Sequence, residues 1–418
     1  MIADATKIPV YDSQTLADIC IIEVGGTIGD IESMHFIEAI RQLSFENTND
    51  SFCFIHVSLV TDMTTSGELK TKPTQHSVMR LREIGLSPDV ILCRSETSIA
   101  KSVKEKIALF CNVNAAHVIE GRDVNSIYEV PLLLDKQKVG QLILERLELS
   151  GTPNVSALKE FIEHYKNPTH TLNVAMCGKY TELPDAYKSV LESFIHAGIE
   201  NKSRVNIIWV STEDLKSLDH CEDIFNSVDG ILLLPGFGKR GSEGKILACQ
   251  YARENKVPFL GICLGLQCAV IEFARNICNM KNANSTEFNS KTPYPVIDLM
   301  ESQRMVKRKG GTMRLGAYEC QLKTGTKTYK EYKTKKISER HRHRWEVNNR
   351  YRSKLEKNGL IISGNNTELN LVEIVELKDH PWFVGCQFHP ELKSRVLKAH
   401  PLFRGFIGAS LVYNRNKK

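Results

Sequence analysis

Continuous apolar runs of strand length alternate along this chain with stretches whose apolar positions recur at helical spacing. In the first 150 residues the runs at 18–24, 52–60 and 90–93 predict buried strands, and the segments 31–43 and 74–84 predict helices between them. Parallel strands require a crossover long enough to hold a helix, so this alternation predicts a mostly parallel sheet covered by helices. A polar, proline-containing stretch at 151–170 interrupts the pattern and reads as a linker. The alternation then resumes, with predicted strands at 172–177, 205–210, 230–234 and 259–262 and predicted helices at 185–197, 243–254 and 264–276. The expected fold class is α/β, with domains at 1–150 and 171–418, each a mostly parallel sheet flanked by helices. Between 300 and 336 the pattern turns basic and weakly periodic, with Arg304, Lys307, Arg308 and Lys309 ahead of Gly310-Gly311. This predicts a solvated surface loop, an anion-binding lid being the sharper alternative.

Composition narrows the class. A chain of 418 residues with 42% hydrophobic content exceeds one ordinary core and suits two domains. A net charge of +6 is small for that length, so nothing marks a nucleic-acid binder, whereas small anionic substrates remain compatible with it. The twelve cysteines are scattered, with no C-x-x-C pair, and several lie within apolar runs. That spacing predicts reduced, buried thiols in a cytoplasmic protein rather than a disulfide framework or zinc site. The first 16 residues lack an apolar core segment, and no run of about 18 apolar residues occurs, so neither secretion nor membrane spanning is expected.

One thiol stands out. In Gly261-Ile-Cys263-Leu-Gly265-Leu-Gln267 a predicted strand turns directly into a predicted helix at Cys263. A helix N-terminus favours a thiolate and offers backbone N–H groups to an oxyanion, and the flanking glycines permit a tight elbow. A lone cysteine in an apolar run is more commonly an inert core residue. Downstream, however, Phe388-His389-Pro-Glu391 provides a possible base with a carboxylate to orient it. Leu234-Pro-Gly236-Phe-Gly238 closes another apolar run, and its glycine amides are candidate oxyanion donors. Nucleophile, base and orienter together indicate acyl transfer.

These motifs resemble the class I (triad) glutamine amidotransferases, which hydrolyse glutamine through a thioester and release ammonia to a partner site. Longer blocks carry a resemblance to the CTP synthase family in particular. They are Gly178-Lys-Tyr-Thr-Glu-Leu-Pro-Asp-Ala-Tyr-Lys188, Asn282-Ala-Asn-Ser-Thr-Glu287, Gly310-Gly-Thr-Met-Arg-Leu-Gly316 and Glu339-Arg-His-Arg-His-Arg344-Trp-Glu-Val-Asn348. The resemblance implies Cys263 as nucleophile, His389 as general base and Glu391 as its orienter. It implies that glutamine is held by Gly236, by the backbone of Leu264, Gly265, Leu266 and Gln267, and by Glu287 and Arg344. A carboxylate for the substrate ammonium and a guanidinium for its carboxylate suit an amino acid. Arg344 read alone is equally part of a basic surface patch. In the family two glycines precede the Phe of the 234–238 turn; here Pro235 takes the first place and has no N–H to donate.

The other half carries Ile21-Ile-Glu23-Val-Gly-Gly-Thr-Ile-Gly29-Asp30-Ile-Glu32 and Lys70-Thr-Lys72-Pro-Thr74-Gln75. Glycines let backbone amides approach phosphate and carboxylates can hold magnesium or a ribose, but many α/β turns and helix caps look the same. The resemblance implies Glu23 as a magnesium ligand. It implies UTP or CTP contacts at Asp30, Ile31, Glu32, Lys70, Thr71, Lys72, Pro73, Thr74, Gln75 and Lys106, and an ATP contact at Arg122, Asp123 and Val124. ATP would phosphorylate the uracil 4-oxygen, ammonia would displace that phosphate, GTP would activate the glutamine step, and the chain would form tetramers or filaments. The resemblance runs from about Ile19 to Pro401. Typical members also carry a glycine-rich phosphate loop ending in Gly-Lys, and no G-x-x-x-x-G-K-[ST] match occurs here. Glutamine hydrolysis is therefore expected, with ATP activation of UTP the least supported step. The alternatives are a stand-alone glutaminase and a non-catalytic assembly partner of full-length synthases.

Overall fold

A computed structural model describes residues 2–9, 15–47, 51–63, 68–179, 184–300 and 313–417 of the chain. It divides into two compact units, Met1–Ile162 and Glu163–Lys418. The first is built on a three-stranded parallel sheet in the order Ile55–Leu59, Val90–Ser95, Val118–Arg122. The helices Lys72–Glu83 and Lys101–Cys111 are the crossovers, and Val78, Ile91, Cys93, Ile107 and Val118 pack into a shared core.

The run at 18–24 is not a strand. It has no ladder partner and Ile21 is 92% exposed. An apolar run becomes a strand only when a neighbour satisfies its N–H and C=O groups, and among the described residues Ile55–Leu59 pairs only with Val90–Ser95. The helix Ile31–Glu46 follows Asp30, as the periodicity indicates. The stretch 151–170 contains the helix Ser156–Lys166, whose Phe161 and Ile162 are buried.

The second unit is organised by a nine-stranded sheet. Five strands run parallel in the order Phe383–Cys386, Phe259–Ile262, Gly230–Leu233, His170–Gly178, Ser203–Ser211. Beyond Phe383–Cys386 come Leu371–Leu377, Leu360–Asn366, Arg314–Leu322 and Lys336–His343, all antiparallel. The basic residues Arg304, Lys307, Arg308 and Lys309 lie outside the described residues. From 314 onward the expected loop is replaced by regular structure: Arg314–Leu322 is a strand paired on both sides and Lys327–Tyr332 is a helix. The strand Phe259–Ile262 and the helix Leu264–Asn276 form the centre of the unit, with every residue from Leu264 to Ala274 buried. Parallel strands with continuous apolar sequence are those covered on both faces.

Candidate active site

Cys263 is the single residue between strand and helix, and its backbone is strained, with φ 53° and ψ −99°. A non-glycine residue with positive φ costs on the order of 1 kcal/mol and persists only where its surroundings impose it. Here packing does so. A Cβ on Gly261 would lie 2.7 Å from the backbone carbon of Gly265, and one on Gly265 would lie 2.9 Å from the Leu233 carbonyl oxygen. Both glycines are required by close backbone approach.

Strand register assembles the remainder. Ile262 pairs with Cys386, and the Cys263 N–H donates to the Cys386 carbonyl at 2.7 Å. This amide is therefore committed to the sheet, and the first-turn N–H groups of Leu264, Gly265 and Leu266 remain as candidate oxyanion donors. One residue past Cys386, the side chain of Gln387 donates from Nε2 to Cys263 Sγ at 3.6 Å. Two residues further, His389 is tied by its N–H to the Arg340 carbonyl at 2.8 Å. Its Nδ1 meets Glu391 Oε1 at 2.7 Å across the short 3-10 turn Pro390–Leu392.

The His389 Nε2 is buried and makes no hydrogen bond of normal geometry, leaving it open toward the thiol. Catalytic hydrogen bonds are often long before substrate binds. Burial favours the neutral ring, but the Cys263 sulfur and the Glu391 carboxylate outweigh it and push His389 up to about 10. Burial pushes the nearby Cys268 thiol up to about 12 and drives Cys386 and Cys249 well above the usual thiol range.

The turn 235–238 lies at the end of the adjacent strand Gly230–Leu233, and a Cβ on Gly236 would sit 3.7 Å from Leu264 Cδ2. Two lysines hold this turn. Lys179 Nζ donates to the carbonyls of Phe237 at 2.6 Å and Gly238 at 3.0 Å, and the fully buried Lys245 donates to the Leu234 carbonyl. The Gly238 N–H donates to Glu287 Oε1 at 2.7 Å. Burial raises the Glu287 carboxyl above its usual range, against the opposing pull of Gly238, Lys179 and Arg344. Half-buried Arg344 follows the strand Lys336–His343 and interacts electrostatically with Glu287. Lys179, Lys245 and Gln387 were not singled out from sequence. The signal available was only their place one residue after a strand, or one turn into a helix.

In the other unit Glu23, Asp30 and Glu32 line one cavity of about 360 Å³ together with Gly25, Gly26 and Ser33. Asp30 Oδ2 accepts from the Thr27 N–H at 3.1 Å, and Ile31 is exposed. The cavity does not include Lys70, Lys106 or the Arg122–Val124 segment. Thr71, Thr74 and Gln75 are buried: Gln75 Nε2 donates to Thr71 Oγ1 at 3.0 Å, and Thr74 Oγ1 donates to the Leu59 carbonyl at 3.3 Å. Lys72 instead lies over the Phe110 ring at 5.4 Å, and Pro73 opens the helix Lys72–Glu83. Lys106 is exposed on the helix Lys101–Cys111. Arg122 and Asp123 are exposed, Asp123 paired with Arg94 at 2.8 Å, and Val124 is half-buried. Among the described residues no three His, Cys, Asp or Glu side chains converge as metal ligands.

Fold and site together define a class I amidotransferase: the Cys263 thiol, the His389 imidazole and the 235–238 turn all stand at the carboxyl ends of adjacent parallel strands. Residues 2–149 match the CTP synthase N-terminus family and residues 182–409 match the class-I glutamine amidotransferase family. The CTP synthase of Caldanaerobacter subterraneus subsp. tengcongensis is 54% identical over 98% of this chain and 77% of its own length. That of Cytophaga hutchinsonii is 52% identical over 96% and 75% respectively. The chain thus spans about three quarters of the length of these relatives. Among solved structures, the Trypanosoma brucei CTP synthase glutaminase domain with bound acivicin superposes with a TM-score of 0.55 at 36% identity, covering 58% of this chain and 94% of that one. The chain belongs to the CTP synthase family, glutamine-hydrolysing ligases that join a synthetase region to a class I amidotransferase region. With both regions matched, neither a stand-alone glutaminase nor a non-catalytic partner is the favoured reading.

Proposed function

We propose that Cys263, His389 and Glu391 hydrolyse glutamine and that the ammonia is used to aminate UTP. The observation that carries this reading is the imidazole held between the Cys263 sulfur and Glu391, with Nδ1 at 2.7 Å from the carboxylate. The thiolate attacks the side-chain amide carbon, and backbone N–H groups of Gly236 and of Leu264, Gly265 and Leu266 receive the oxyanion. His389 gives its proton to the departing nitrogen, which leaves as ammonia. It then takes a proton from the water that cleaves the thioester, restoring the thiolate as leaving group.

Glu287 and Arg344 would hold the substrate ammonium and carboxylate. A half-buried carboxyl raised above its usual range gains most from an incoming cation. Gln267 lies at the same helix start, and its backbone is the part we assign to the substrate.

For the synthetase region we assign UTP and CTP to Asp30, Ile31, Glu32, Lys106 and the segment Lys70, Thr71, Lys72, Pro73, Thr74 and Gln75. ATP is assigned to Arg122, Asp123 and Val124. Glu23 suits Mg2+ shared with substrate phosphates, because this ion keeps waters and accepts one or two carboxylates. Bound there, it would neutralise phosphate charge. GTP as activator and a homo-oligomer, tetramer or filament, complete the reading. A cytoplasmic setting is supported by twelve free cysteines, and no helix among the described residues is long and apolar enough to cross a membrane.

Cys263→Ala tests the core of the proposal. Ammonia release from glutamine, followed with a coupled ammonia assay, should vanish; unchanged release would remove Cys263 from the chemistry.

A further inference from the structure

Cys263 Sγ carries a contact that the triad does not account for. Gln387 is fully buried and its Nε2 lies 3.6 Å from the sulfur. Its Oε1 accepts from Gln267 Nε2 at 3.3 Å, and the same Gln267 nitrogen donates to the backbone carbonyl of Trp345 at 2.9 Å. We propose that Gln387 is a positioning residue for the nucleophile: a one-way chain of hydrogen bonds starting at the Trp345 carbonyl holds its N–H on the Cys263 sulfur.

The direction follows from donor and acceptor identity. The Trp345 carbonyl can only accept, so Gln267 must present its NH2 group there. That NH2 also faces Gln387, so Gln387 must answer with oxygen, which turns its own NH2 toward sulfur. Reversing Gln267 would set two oxygens against each other. Reversing Gln387 alone would set two NH2 groups against each other and point oxygen at the sulfur. Gln267 Oε1 is already buried without a partner, and each reversal adds further unpaired buried polar atoms to it, at a cost larger than the bond itself contributes.

Two consequences follow for the thiol. Sulfur is held as an acceptor, the role a thiolate fills better than a thiol. Its own proton cannot go to Gln387 and is left to His389, whose Nε2 makes no other hydrogen bond. Among the described residues, Lys245 on the adjoining helix and Cys386 on the paired strand also interact electrostatically with the sulfur. Neither donates a hydrogen bond to it: Lys245 Nζ goes to the Leu234 carbonyl and the Cys386 thiol to the Phe388 carbonyl. Gln387 therefore acts when the thiolate first forms, and again when thioester cleavage returns it as leaving group.

The turnover part of this inference rests on the glutaminase reading; the thiolate part does not. The test uses the full chain carrying Gln387→Leu, with Gln387→Met and Gln267→Leu as independent variants should leucine disturb folding. Alkylation of Cys263 by iodoacetamide is followed across pH by mass spectrometry of its peptide, beside the pH profile of kcat/KM for ammonia release. In Gln387→Leu the midpoint of both profiles should rise by about one pH unit, a roughly tenfold loss of thiolate on the acid side. Gln267→Leu should shift both in the same direction by less. Midpoints identical to wild type in the folded variants, whatever happens to kcat, would reduce Gln387 to packing and overturn the proposal. A wild-type chain that releases no ammonia overturns the glutaminase reading instead, and the alkylation midpoints still decide the role of Gln387.

Discussion

Two glycine-rich segments look alike in sequence and differ in what their glycines do. In Gly261-Ile-Cys263-Leu-Gly265 the strand is paired on both sides, and added Cβ atoms would meet backbone at 2.7 and 2.9 Å. In Gly25-Gly26-Thr-Ile-Gly29 the nearest atoms to an added Cβ on Gly25 and Gly26 are carboxylate oxygens of Glu23 and Asp30, at 3.8 and 3.6 Å. There Gly26 is needed for its φ of 89° and not for space, while Gly29 has a φ of 104° and only the Arg80 side chain, at 3.3 Å, to meet an added Cβ. The first segment is a finished elbow inside a core, with its backbone fixed by the strands around it. The second is a surface turn bordering an open cavity, with exposed acids that a bound nucleotide and cation would bring together. On the proposed reading, preorganisation belongs to the glutaminase unit, and the synthetase segment would respond to its ligand.

The contrast is broken most forcefully at His389. His389→Ala should slow ammonia release about 10³-fold, the usual scale for a lost general acid-base, and leave UTP with Mg2+ able to raise the melting temperature. Equal loss of both responses would mean that the two regions are not separable. The same residue predicts a pH signature. Its folded value of about 10 lies above the ordinary 6.5, so its contribution to stability is full below pH 6.5 and is lost as pH rises through 10. Urea melts of wild type against His389→Gln should therefore converge toward alkaline pH. A gap that widens with pH would refute the imidazolium.

Next in size is the difference between glycines. Gly261→Ala should destabilise the second unit by about 3 kcal/mol through overpacking against backbone. Gly26→Ala should cost about 1 kcal/mol, the penalty for an unfavourable φ alone. Denaturant titration of both variants sharpens the comparison, and equal costs would end it. The smallest expected effect on glutamine chemistry comes from Glu23→Gln. Ammonia release should be unchanged, while the thermal shift produced by UTP and Mg2+ together falls toward that of UTP alone. An undiminished shift would exclude Glu23 as a ligand of the ion.

Local periodicity was enough for much of the fold. Phe259–Ile262 and Leu264–Asn276 have the bounds their apolar run and helical spacing indicate, because the strand is wholly buried and the helix is buried from Leu264 to Ala274 with mostly apolar residues. Residues 18–24 show the opposite case: the same apolar character yields no strand, since pairing depends on a neighbour and not on composition. The antiparallel strand Arg314–Leu322 was hidden in a basic stretch, because alternate positions on a half-covered sheet tolerate charge and blur the apolar pattern. The triad residues were legible as motifs. Gln387 was not: nothing about a glutamine after an apolar strand signals a contact with sulfur.

The amino-acid sequence by itself determined the α/β class and the strand-to-helix bend at Cys263, and it marked Cys263, His389 and Glu391 as candidates, because each rests on local pattern or on a short motif. Only the tertiary structure decided which way the Gln267 and Gln387 amides point, which N–H of the elbow is already committed, and that Lys179 and Lys245 hold the carbonyls of Leu234, Phe237 and Gly238. These follow from the register of Phe383–Cys386 against Phe259–Ile262, a match between strands 124 residues apart that no local stretch of sequence encodes.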